Sequence, residues 1–175
     1  MTITFATGGA VDEELFSTLF FAHAARLVRL AALLGDPDPE DVTQEAFCRL
    51  YAVRSRLDGR GEASVVAYLN RIVVNEVRDR HRRRGIARRD AHLVVVSDVV
   101  REGADVGERQ AVVDALGLLP QRQREALVLR FWLDLPVAEI AEVMGVRVGT
   151  VKSQLSRGLA TVENVLGRPE QEVTR

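Results

Sequence analysis

Residues 138–157 read Ala138-Glu139-Ile140-Ala141-Glu142-Val143-Met144-Gly145-Val146-Arg147, then Val148-Gly149-Thr150-Val151-Lys152-Ser153-Gln154-Leu155-Ser156-Arg157. A short helix, a glycine turn and a return to apolar packing in this order spell a helix-turn-helix. Ile140, Ala141, Val146, Val151 and Leu155 fall where they lock two helices together, and Ala141 is small where backbones must approach. The opposite face of the second helix presents Thr150, Lys152, Ser153, Gln154, Ser156 and Arg157, with Arg147 just before it. Hydroxyls, an amide and cations on one face suit base edges and phosphates in a major groove. The bland alternative is a packed hairpin with a solvated polar face. The glycine, its apolar neighbours and the polar face agree on DNA, and Arg147, Lys152, Arg157 and Arg168 outnumber the single acid Glu163 between 145 and 168.

Upstream, Pro120 opens a helix carrying Ala126, Leu127, Leu129, Arg130, Phe131 and Trp132, and Pro136 opens the first helix of the motif. A further helix spans about 109 to 118. The segment 86–108 breaks the pattern: Leu93-Val94-Val95-Val96 has no pairing partner, and between 90 and 108 five acids face Arg101 alone. It reads as an acidic linker with an apolar anchor.

The first 85 residues hold another helical unit. Leu15, Leu19, His23, Leu27, Leu30 and Leu34 recur at helical spacing, widened by Phe16 and Phe20, until Gly35 stops the run. Asp38 serves as N-cap, Pro39 suits the first helical position, and Glu40 and Asp41 complement the helix dipole. Val42, Ala46, Leu50, Val53 and Leu57 give that helix its buried stripe, and Asp58-Gly59-Arg60-Gly61 breaks it. A third helix runs from about Ser64 to Arg84 on Val66, Leu69, Ile72, Val73 and Val77. The whole is an all-α protein: a tail (1–10), a helical domain (11–85), a flexible linker (86–108), a helix-turn-helix domain (109–168) and a second tail (169–175).

Composition sets limits. The protein has 175 residues, 47% hydrophobic and 28% charged, with aromatics at 5%. That is the balance of a folded soluble protein with small aliphatic cores. The net charge of −1 conceals strong segregation. Eight arginines lie between 71 and 89 (Arg71, Arg78, Arg80, Arg82, Arg83, Arg84, Arg88 and Arg89), against Glu76 and Asp79. Such density gives salt-dependent attachment to phosphates. A solvated helix end is the alternative, and the second DNA-reading element weighs against it. Tyr68 and Asn75 precede the cluster on the same helix, where an aromatic and an amide can stack on and bond an unpaired base; Tyr68 fits a core position as well. Asp36, Asp38, Glu40, Asp41 and Glu45 exceed what capping requires. They read equally as caps or as a surface for a basic protein partner, with Gln44 and Phe47 nearby.

Other chemistry finds little support. Cys48, the sole cysteine, cannot form an internal disulfide, and its place in the helix predicts a buried, inert thiol. His23, His81 and His92 are scattered; His23 reads as a core histidine, and no Cys/His spacing suggests a metal site. No nucleophile has a base at a recognisable spacing, so an enzyme is not expected. The acidic start lacks the basic region of a signal peptide, and no apolar run reaches spanning length, which predicts a cytoplasmic protein without membrane insertion.

Taken together, Asp38-Pro39-Glu40-Asp41-Val42-Thr43-Gln44-Glu45-Ala46-Phe47, Ala67 to Asn75 with the arginines behind it, and Leu119-Pro120 through Arg157 resemble the extracytoplasmic-function sigma factors. The resemblance runs from about Glu14 to Leu166. It implies a promoter-specificity subunit of RNA polymerase that is not an enzyme and needs no cofactor. It implies that Asp38, Asp41, Gln44, Glu45 and Phe47 bind the polymerase clamp helices, with the flap as a second polymerase contact. It implies that Tyr68, Arg71, Asn75, Arg78, Arg82, Arg83 and Arg84 hold the melted minus-ten strand, Asn75 lining a pocket for a flipped base. Arg147, Thr150, Lys152, Ser153, Gln154, Ser156 and Arg157 would read the minus-thirty-five duplex, the acidic linker would thread the basic RNA path, and an anti-sigma factor is a further partner. Three departures set this sequence apart: Tyr68 for the usual tryptophan with Val65-Val66 for an aromatic, Gln154 for a common arginine, and Arg147 for a small residue or proline. The rival reading is a conventional helix-turn-helix regulator acting without polymerase.

Overall fold

The computed structural model describes residues 13–54, 61–85 and 106–167. Seven helices occur among them and no strand: α1 (Glu13–Leu33), α2 (Pro39–Val53), α3 (Glu62–Gly85), α4 (Val106–Gly117), α5 (Gln121–Phe131), α6 (Val137–Met144) and α7 (Val148–Leu166). The protein divides into two compact units, Met1–Ala91 with α1–α3 and His92–Arg175 with α4–α7. The apolar anchor at Leu93–Val96, most of the acidic linker and both tails lie outside the described residues.

In the first unit α1, α2 and α3 pack against one another in all three pairings. Leu19, Leu27 and Leu30 of α1, Val42, Ala46 and Leu50 of α2, and Val65, Leu69, Val73 and Val77 of α3 form its core. Val65 is buried and Val66 only half-buried, the reverse of the expected register at the start of α3. Gly35 ends α1 in the left-handed conformation (φ 88°), and the Asp36 amide donates back to the Ala31 carbonyl at 3.1 Å. Such a closure favours a residue without Cβ. Asp38 then caps α2, accepting from the Asp41 amide at 3.3 Å, with Pro39 in the first turn.

Several expectations require correction. The stretch Phe16–Leu33 does meet the length and hydropathy of a membrane span, contrary to the expectation from sequence; its leucines Leu19, Leu27 and Leu30 face the core of the unit. His23 is a seam residue rather than a core one, its Nε2 lying 3.0 Å from Glu62 Oε1 between α1 and α3. Cys48 is exposed on α2, so burial gives it no protection.

In the second unit α7 is the common partner, packing on α4, α5 and α6. Val113, Ala115, Leu119, Ala126, Leu127, Leu129, Ile140, Met144 and Val151 are buried. Each fully buried aliphatic side chain contributes roughly 1.5–3 kcal/mol relative to exposure. Arg124 is buried too, and its partners are carbonyls rather than carboxylates. Its Nε donates to the Leu116 carbonyl (2.8 Å), and one guanidinium nitrogen donates to Gly117 (2.7 Å) and Leu119 (3.3 Å). These carbonyls belong to the last turn of α4 and the link to α5. The Leu116 carbonyl also accepts from the Leu119 amide at 3.2 Å, so the guanidinium adds a second donor there and supplies side-chain donors to Gly117 and Leu119. Burial lowers its pKa from the ordinary guanidinium value.

Candidate nucleic-acid and partner interfaces

The helix-turn-helix forms as its sequence dictates. Gly145 takes φ 65° and ψ 38°, and the Val146 amide donates to the Ala141 carbonyl at 3.0 Å, closing α6 before the turn into α7. Ile140, Ala141 and Val151 are buried at the α6–α7 contact, as is Met144; Val146 and Leu155 are half-covered. Arg147, Thr150, Lys152, Ser153, Ser156 and Arg157 are exposed, whereas Gln154 is half-covered towards the packed side. The first turn of α7 has no cap from the Arg147 side group. Its free amides and dipole therefore lie at the positive end of the helix, beside Arg147. Gly158 packs directly on α5: a Cβ there would sit 3.0 Å from Leu127 Cδ1.

The long helix α3 sorts its arginines into two faces. Tyr68, Arg71, Asn75, Arg78 and Arg82 recur every three or four residues, and this row is exposed or half-exposed throughout. The other row, Glu76, Arg80 and Arg84, turns towards α2 and the corner between α1 and α2. Asp36, whose carboxylate is fully buried, accepts from the Asp38 amide (3.0 Å) and from Arg84 (3.3 Å), with Arg80 at 3.8 Å. Arg80 also donates to Glu76 (3.2 Å) and pairs with Asp41. Burial works against its charge, but the hydrogen bonds to Asp41 and Glu76 outweigh it, and its pKa is raised. His81 Nε2 donates to the Gly35 carbonyl at 2.9 Å. Arg84 is thus engaged at the α1–α2 corner rather than aligned with Tyr68 and Asn75. Arg82 pairs with Asp79, while Arg71 and Arg83 carry no ion pair among the described residues. Arg88 and Arg89 lie outside them.

On α2 and its cap, Asp38, Asp41 and Gln44 are exposed and Glu45 is half-exposed. Phe47 is not part of that surface. At 3% exposure it is a core residue, its ring 5.8 Å from Phe16 and 4.9 Å from Phe20 in centroid distance. Glu40, read from sequence as a complement to the helix dipole, is exposed on the same helix. Arg49 bridges Glu45 (2.7 Å) and the buried Glu76 (2.7 Å). The hydrogen bond to Glu45, opposed by burial and aided by the charge of Glu76, raises its pKa. Among the described residues no group of three His, Cys, Asp or Glu residues is placed to hold a metal ion.

A helical unit with an aromatic–amide–arginine row and a second unit with a helix-turn-helix are the features of a transcription protein. The first unit matches the family described as Sigma-70 region 2 over residues 19–86, and the second matches Sigma-70, region 4 over residues 109–162. The protein is 38% identical over 160 residues to the ECF RNA polymerase sigma factor SigM of Mycobacterium tuberculosis, covering 90% of this sequence and 80% of that one. It is 32% identical over 136 residues to the RNA polymerase sigma-E factor of Streptomyces avermitilis, covering 77% and 74%. Among solved structures it resembles CnrH in complex with the cytosolic domain of CnrY (TM-score 0.60, 27% identity, 89% of this protein and 90% of that one). The sigma factor RpoE in complex with the anti-sigma factor NepR, from Bartonella quintana, shares its fold (TM-score 0.63, 22% identity, 91% and 98%). The protein belongs to the ECF sigma factors, which confer promoter-specific transcription initiation.

Proposed function

We propose that this sigma factor holds the melted minus-ten strand on the row Tyr68, Arg71, Asn75, Arg78 and Arg82, with Arg83 beside it. That row is the observation that carries the reading, because it puts an aromatic ring, an amide and cations on one exposed or half-exposed face. Arg84 supports the row from its anchor on Asp36. On α7, Arg147, Thr150, Lys152, Ser153, Ser156 and Arg157 take the minus-thirty-five duplex, with Gln154 reaching from the edge. The acidic face of α2, with Asp38, Asp41, Gln44 and Glu45, meets the clamp helices of core RNA polymerase, and the second unit meets the flap. Phe47 serves that face from beneath, by fixing α2 on α1.

The domains divide at 11–85 and 109–168, with the acidic linker 86–108 lying in the basic RNA path of polymerase. An anti-sigma factor masks the protein until a signal releases it, a reading supported by the likeness to CnrH held by the cytosolic domain of CnrY. The protein works in the cytoplasm without inserting into a membrane, catalyses nothing itself and requires no cofactor.

The test is transcription by core RNA polymerase with the purified protein on genomic DNA fragments, followed by mapping of start sites. Specific starts that depend on both components are the expected outcome. Footprinting of duplex DNA by the protein alone, with no promoter fired by the reconstituted enzyme, would favour the regulator without polymerase.

A further inference from the structure

The exposed carboxylates Asp41 and Glu45, one helical turn apart on α2, are each paired with an arginine of the protein itself. A basic partner approaching α2 therefore meets carboxylates that already have counter-ions. The arrangement beneath them resolves the conflict. Arg80 pairs with Asp41 but also with Glu76, and lies 3.8 Å from Asp36. Arg49 pairs with Glu45 but also with Glu76 at 2.7 Å. Both arginines thus have a second acid, and they share the same one. Glu76 is 5% exposed and Asp36 fully buried, whereas Asp41 is 57% and Glu45 43% exposed. Water screens the outer carboxylates more than the inner ones, so the outer contacts are the ones a partner's cation reaches and competes for.

We propose that Glu76 is a positioning residue for polymerase binding: from beneath α2 it retains Arg49 and Arg80, so that Asp41 and Glu45 are released to a guanidinium or ammonium group of the partner. The inference rests on the reading of α2 as the polymerase face. The charge count fits the exchange. Asp36, Asp41, Glu45 and Glu76 outnumber Arg49, Arg80 and Arg84 by one. One incoming cation balances the network, and neither arginine is left without a counter-ion when it lets go. Glu76 touches no partner in this scheme. Its carboxylate acts only through the two arginines, and it also ties α2 to α3, the helix that carries the minus-ten row.

The experiment is equilibrium titration of the full-length protein, fluorescently labelled, with core RNA polymerase. Glu76→Gln keeps the shape and a hydrogen-bond acceptor but removes the charge that competes for Arg49. Affinity for core should fall by a few-fold, on the order of threefold to tenfold, as expected for strengthening a surface pair at the partner's expense. Adding Arg49→Gln to that variant removes the competitor and should restore most of the loss. A merely structural role of Glu76 would not be rescued by deleting a second ion-pair member. Wild-type affinity of Glu76→Gln, or a loss that persists in the double variant, overturns the proposal. Should Glu76→Gln fail to fold, Arg49→Gln alone carries the test: it unmasks Glu45 and should tighten binding, and unchanged or weaker binding overturns the idea. The Asp41→Asn/Glu45→Gln pair separates the two levels. Core affinity unaffected by that pair removes α2 from the polymerase interface altogether, whereas a loss there with an indifferent Glu76→Gln removes only the role of Glu76.

Discussion

Gly158 fixes how closely the reading helix can lie on the rest of its unit. A Cβ at this position would meet Leu127 Cδ1 at 3.0 Å and Leu127 Cγ at 3.2 Å, and Leu127 is itself buried. A β-branched residue there requires the Leu127 side chain to give way within a packed contact. Gly158→Val should cost about 1–3 kcal/mol by overpacking, read as a drop in the urea midpoint of the full-length protein with little change in slope. Arg124 makes a second residue-scale case. It donates to three carbonyls, of which Leu116 also accepts from the Leu119 amide while Gly117 and Leu119 depend on the guanidinium more. Arg124→Met preserves the aliphatic stem and removes the side-chain donors from Gly117 and Leu119, for a loss of about 1–3 kcal/mol. The same measurement checks it, and Arg124→Lys should recover only part, since a single ammonium cannot reproduce the fork.

At the scale of the element, the α1–α2 corner decides where α3 presents its arginines. Asp36 is buried there with Arg80 and Arg84 on it and the Asp38 amide donating to it, while His81 reaches the Gly35 carbonyl. Asp36→Asn leaves Arg80, 15% exposed, with one fewer counter-ion in a poorly solvated place. Arg80 keeps Asp41 and Glu76 and Arg84 is partly solvated, so a loss of about 1 kcal/mol, read as a modest fall in melting temperature, is the expected outcome; an unchanged melt would show the corner to be dispensable. Much of this element structure is legible in the sequence. Asp38-Pro39, Gly35, Pro120, Pro136 and Gly145 set the helix limits by backbone and capping chemistry, which is local and therefore readable. The division of the arginines is not readable from density alone. Whether Arg82 faces solvent or Arg80 faces an acid depends on a corner contributed by residues far upstream. One signal points to it: Glu76 and Arg80 continue the buried row Leu69–Val73, and a charge within a buried row calls for a partner. Phe47 and Cys48 differ from expectation for a related reason. They are neighbours one step apart on α2, and about 100° of helical rotation puts one in the core and the other in solvent.

For the whole molecule, a net charge of −1 with two basic faces means that neither unit can rely on long-range attraction to DNA. Each must act through its own contacts, and the two kinds of contact differ in physics. On the proposed reading the α7 face meets duplex phosphates, so its affinity would depend on released counter-ions. Lys152→Ala and Arg157→Ala should each weaken holoenzyme binding to a minus-thirty-five duplex and flatten its dependence on salt by about 0.9 in logarithmic slope per phosphate lost. Asn75 carries no charge and lies among cations that, on the proposed reading, do the electrostatic holding. Asn75→Ala should therefore leave the duplex affinity and its salt slope as they are and slow the formation of the open complex, read by permanganate reactivity of unpaired thymines. The separate packing of the two units makes this division possible, because a contact deleted in one leaves the core of the other intact. Loss of duplex affinity and of melting in equal measure on Asn75→Ala would mean that the amide supports α3 rather than a base. The row Tyr68–Arg71–Asn75–Arg78–Arg82 would then be a phosphate track only.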